Sequence, residues 1–94
     1  MHHYELVCIV HPDLDETAFS GVVEKVKGWV TEAGGTISKT DVWGRRRLAY
    51  SLRKQREGQY VLFEFEVDPT FSGTLDRNIR YLEPVLRHML ISLD

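Results

Sequence analysis

Residues 59–68 read QYVLFEFEVD, and their alternation decides the fold. Val61, Phe63, Phe65 and Val67 take every second position, with Tyr60, Leu62, Glu64 and Glu66 between them. Successive side chains of a strand point to opposite sides, so a period of two predicts a strand with one apolar and one mixed face. Upstream, residues 36–52 (TISKTDVWGRRRLAYSL) read as a second extended run, separated from the first by the charged segment RKQREG, whose Arg53, Lys54 and Arg56 sit at the tip of a hairpin.

Further upstream, Tyr4, Leu6, Cys8 and Val10 alternate with His3, Glu5, Val7 and Ile9, predicting a strand over 3–10. HPDLDE follows, where Asp13 or Asp15 caps a helix and Glu16 lies in its first turn. Phe19, Val22, Val23, Val26, Trp29, Val30 and Ala33 then recur at spacings of three and four, one side of a helix that Gly34 and Gly35 end. Downstream of Asp68 and Pro69, Phe71, Leu75, Ile79 and Leu82 predict a shorter helix stopped by Pro84, and VLRHMLISL a last strand. The order βαββαβ, with right-handed crossovers, is the α+β ferredoxin-like arrangement: a four-stranded antiparallel sheet with two helices on one face. Its 94 residues make one domain, 1–94.

The pattern assigns Leu6, Cys8 and Val10, Val61, Phe63 and Phe65, and Leu86, His88 and Leu90 to the helix side. Val7, Ile9, Tyr60, Leu62, Met89 and Ile91 fall on the other face, which nothing in the chain covers. An open apolar face bordered by charge is the expected place for a protein partner.

With 43% hydrophobic and 28% charged residues the composition is that of a soluble globular chain. No apolar run nears the ~20 residues of a membrane span, and MHHYELV lacks the features of a secretory signal, so the expected address is the cytoplasm and no membrane is involved. The lone Cys8, within LVCIV, reads as a core residue. The net charge of −2 hides a polarity: Lys39, Arg45, Arg46, Arg47, Arg53, Lys54 and Arg56 stand against Asp41 and Glu57 in residues 39–58, net +5, and the remainder is net −7. Such a basic segment in an acidic chain fits one surface that faces a polyanion, although exposed hairpins are also charged to stay soluble.

The runs GGTISKTDVWGRRRLAY and LRKQREGQYVLFEFE, with LDRNIRYLEPVLRHML and YELVCIVHPDLDE, resemble the bacterial small-subunit ribosomal protein S6 family over essentially the whole chain. Ser51 stands where many members have proline, and Asp41 where glutamate is usual. The resemblance implies a structural component of the small ribosomal subunit. It would bind ribosomal RNA of the central domain together with the eighteenth small-subunit protein, with which the family forms a heterodimer. It also implies RNA contact by at least one of Arg45, Arg46 and Arg47, and it draws attention to Arg80 and Arg87, which match arginines of the family pattern.

Read from chemistry alone, the three arginines have two explanations. Guanidinium groups fork onto phosphate oxygens, and they also serve as strand-edge charges or pair across a sheet with Asp41, Glu64 or Glu66. Strand alternation puts Arg45 and Arg47 on one face and Arg46 on the other, unless a bulge at Gly44 intervenes. Arg80 and Arg87 suit RNA, a partner interface or salt bridges equally.

No cofactor, metal or small-molecule substrate is expected. His2, His3, His11 and His88 have no ligand spacing. An acyl-phosphate hydrolase of this topology would need an arginine-bearing loop after the first strand, where HPDLDE supplies acids, so an enzyme is not expected. The remaining alternative is a protein-interaction or single-stranded-RNA module of the same fold without a ribosomal role. Alternation sends Phe63 and Phe65 inward and leaves Tyr60 alone for base stacking.

Overall fold

The computed structural model describes residues 1–94. It contains β1 (His2–Val10), α1 (Glu16–Glu32), β2 (Thr36–Leu52), β3 (Gln55–Val67), a 3-10 turn (Pro69–Phe71), α2 (Ser72–Arg80) and β4 (Val85–Ser92). The strands pair antiparallel in the order β2-β3-β1-β4, which is the ferredoxin-like arrangement expected from the sequence.

Asp15 provides the cap of α1, its carboxylate accepting the Ala18 N–H at 2.8 Å. Gly34, at φ +83°, turns the chain out of the helix. Phe19, Val22, Val23, Val26 and Val30 of α1, with Leu75 and Ile79 of α2, close over the inward residues of β1 and β3 to form one cluster of 16 buried residues with no buried polar or charged side chain. Burial in that cluster pushes the Cys8 thiol up to about 12.

Three details depart from the sequence reading. A register shift where β4 meets Val10 puts Val85 in the core, whereas Leu86 is half-buried and outside it. The second helix ends at Arg80, with Leu82 packed beyond it. The charged segment 53–58 is not a loop: β3 begins at Gln55, and the turn is only Arg53 and Lys54, at φ 47° and 66°. Two successive positive φ values match the right-handed twist of a two-residue hairpin, but they cost roughly 1–2 kcal/mol each in residues that carry a Cβ. The charged residues escaped the strand reading because here the hairpin projects past the end of β1, and its side chains show no apolar alternation although Gly58 is buried. Residues 55–58 have no β1 partner, and no residue of β2 is buried.

Candidate nucleic-acid and partner interface

The register of β2 slips against β3 at Ile37/Lys39 and at Val42/Gly44, where β2 carries one extra residue each, and again between Arg47 and Leu52. The second slip lies beside Gly44, whose φ is +85°. Before it, Asp41 lies opposite Leu62 and Val42 opposite Val61. After it, Gly44 lies opposite Tyr60, Arg45 opposite Gln59 and Arg46 opposite Gly58. The bulge therefore leaves Trp43 and Arg46, three positions apart, on the same outer face.

There they form a stack. The Trp43 indole lies parallel to the Tyr60 ring (centroids 5.9 Å apart, 14° between planes) and donates its Nε1–H to Asp41 at 3.1 Å. The Arg46 guanidinium lies over Trp43, 5.3 Å from the ring centroid. Sequence reasoning missed this pair of aromatic rings, since counting parity without a bulge puts Trp43 with Arg45 and Arg47. The glycine after the tryptophan was the available signal.

Arg45 and Arg47 turn the other way, into an open depression lined also by Pro12, Asp13, Gln55, Arg56 and Glu57. Arg45 is held there: it donates to the Pro12 carbonyl at 2.7 Å and to Glu57 at 3.2 Å. The nearby Gln59 amide ties the same loop, donating to the carbonyls of His11 (3.2 Å) and Leu14 (3.0 Å). Arg47 and Arg56 have no carboxylate partner. The cross-sheet pairing with Asp41, Glu64 or Glu66 does not occur: Asp41 serves Trp43, Glu66 pairs with His3, and Glu57 is the acid that meets Arg45.

Arg80 and Arg87 lie elsewhere. Arg80, at the end of α2, is held by Asp76 at 2.8 Å, and the other oxygen of that carboxylate meets the half-buried His88 at 2.7 Å. Arg87 lies opposite Ile9 on the outer face and donates to the Tyr50 hydroxyl. The five arginines thus divide among three places: the depression, the outer face and the helix side.

The outer face is also less open than alternation implies. Val7, Ile9 and Leu62 are only 8%, 6% and 6% accessible, while Met89 and Ile91 are 40% and 50% accessible. Part of the cover is the hairpin itself, which brings Leu48, Ala49, Tyr50 and Leu52 to Ile9, Tyr60, Arg87 and Met89 around a cavity of about 210 Å³. Beyond that cover the face turns acidic: Glu5 lies opposite Glu64, and His3 opposite Glu66, with Asp94 at hydrogen-bond distance from His3. The Asp94 carboxyl is held below the ordinary carboxylate range, chiefly by the backbone N–H of His3.

Fold and site together define the class: a ferredoxin-like α+β domain with a basic hairpin arm at one end of its outer face and acids at the other. The ribosomal protein S6 family model matches residues 3–92. Small ribosomal subunit protein bS6 of Clostridium kluyveri is 44% identical over 91 residues, covering 97% of this chain and 96% of that protein. Its counterpart from Clostridium botulinum is 45% identical over 92 residues, covering 98% of each. Among solved structures, the 30S ribosomal protein S6 of Thermotoga maritima superimposes with a TM-score of 0.91 at 28% identity, over 97% of this chain and 86% of that one. The regulatory subunit of aspartate kinase from Thermus thermophilus shares the fold alone, with a TM-score of 0.53 at 16% identity over 96% of this chain and 50% of that one. The chain belongs to the ribosomal protein S6 family. It is accordingly a ribosome-associated protein of the small subunit, and its relatives are structural ribosomal proteins.

Proposed function

We propose that this protein binds ribosomal RNA of the small-subunit central domain through the arm of β2 and β3, together with the eighteenth small-subunit protein as a heterodimeric partner. The observation that carries the RNA reading is the set of cations the arm leaves without carboxylates: Arg46, Arg47, Lys54 and Arg56, all exposed, in a segment of net charge +5. Phosphates satisfy such donors without competition from an internal acid. Arg46 lies over the Trp43 ring, a contact that favours one placement of a guanidinium otherwise free to fork onto phosphate.

The partner reading rests on the other end of the outer face, where exposed Met89 and Ile91 adjoin Glu5, Glu64 and Glu66. This edge suits a basic protein with an apolar anchor. Arg80, paired with Asp76 on its own helix, and Arg87, bonded to Tyr50, lie away from the arm's unpaired cations and carry less of this reading.

The test is capture with the tagged chain from a lysate, with and without ribonuclease. The expected result is co-purification of small-subunit RNA and the eighteenth protein, with the RNA-dependent components disappearing on digestion. Recovery of a protein partner alone, indifferent to ribonuclease, would favour the interaction module without an RNA role.

A further inference from the structure

The arm crosses the outer face along an open apolar groove of about 210 Å³, between Leu48, Ala49 and Leu52 of the arm and Ile9, Tyr60 and Met89 of the sheet. Two polar ties connect the arm to the beginning of β4. Arg53, at the turn, donates through Nη1 to the Glu83 carbonyl (2.9 Å) and through Nη2 to the Val85 carbonyl (3.2 Å). Arg87 reaches Tyr50 from below. Arg53 makes this fork from a left-handed backbone conformation that its own side chain disfavours, and Lys54 beside it adopts another. Strain of this kind persists where surrounding contacts hold it; here the Leu52–Gln55 pair closes the turn and the fork ties it to the start of β4.

We infer that Arg53 is a positioning residue, a two-carbonyl latch that holds the basic arm down on the sheet so that Arg46, Arg47 and Arg56 are presented in one fixed arrangement. It acts through the arm and not as a phosphate contact, since both of its terminal nitrogens bond carbonyls and the group faces Glu83. A preorganised arm binds RNA without first giving up conformational freedom, and the latch supplies that preorganisation.

The consequence for RNA rests on the reading proposed above, but the latch itself is testable without RNA. Amide hydrogen exchange in the free full-length chain is compared for the native protein, Arg53→Ala and Arg53→Lys. The expected result is at least tenfold faster exchange within residues 45–57 in both variants, with β1 unchanged. Lysine keeps the charge but cannot make the fork, so full rescue by Arg53→Lys would overturn the latch, as would unchanged exchange in Arg53→Ala. Affinity for a central-domain RNA fragment, measured with the partner protein present, is expected to fall several-fold in Arg53→Ala with its salt dependence unaltered. A salt slope shallower by about one unit would make Arg53 a phosphate contact and overturn the positioning role, and unchanged affinity would overturn its functional part. Should the native chain bind no such RNA, the RNA reading fails while the exchange comparison still decides the latch.

Discussion

β1 and β2 are strands of one sheet, yet they are held by different means. Six of the nine residues of β1 are buried, it pairs on both edges, and its inward side chains sit in the core. β2 has 17 residues, none buried, a single pairing edge and three register shifts. The first is positioned by hydrophobic burial, which is indifferent to detail as long as the pattern holds. The second is positioned by its ladder with β3, by half-buried apolar contacts such as Ile37 and Leu48, and by arginines bonded to carbonyls. Stability should therefore reside in the half around β1, and function in the arm that projects from β2 and β3.

The contrast is broken most severely by truncating the core. Phe63, fully buried, should cost ~3–5 kcal/mol as alanine, seen as a lowered midpoint in urea unfolding. A smaller effect is expected where the two halves touch: a Cβ on Gly58 would collide with Cγ2 of Ile9 and sit 3.7 Å from Leu48, so Gly58→Ala should destabilise by about 1–3 kcal/mol and loosen the arm, visible as faster exchange at residues 45–57. In the opposite direction, Lys54→Gly removes the Cβ from a residue at φ 66° and should raise the unfolding free energy by ~1 kcal/mol. The weakest expected effect is at the acidic end. Asp68, which accepts the Thr70 N–H, and Asp94, which accepts that of His3, both have carboxyls below their ordinary value. A depressed value stabilises the fold above the ordinary carboxylate range and withdraws that contribution as pH falls below it, so stability should decline slightly under acid, and less so in Asp94→Asn.

The β1 half was legible in the sequence. Alternation at 3–10 and 59–67 and the spacing of Phe19 through Val30 each report burial against the core, which is what periodicity measures. Gly34 and Asp15 marked the helix ends because capping is local chemistry. The arm was legible only as charge. Residues 55–58 carry no apolar alternation, and an Arg-Lys turn is not the expected choice for successive positive φ, so the strand there read as a loop. The faces of Trp43 and Arg46 depended on one inserted residue, and the Arg53 latch on carbonyls 30 or more residues away. Long-range polar contacts to backbone leave no mark on side-chain periodicity.

The claim that affinity for RNA resides in the arm is tested most directly by the salt dependence of binding to a central-domain RNA fragment, partner protein present, for the native chain and the triple variant Arg45→Ala, Arg46→Ala, Arg47→Ala. The expected result is weaker binding with a slope shallower by about one unit for each phosphate that the variant no longer neutralises. A triple variant with the native affinity and the native slope would contradict it.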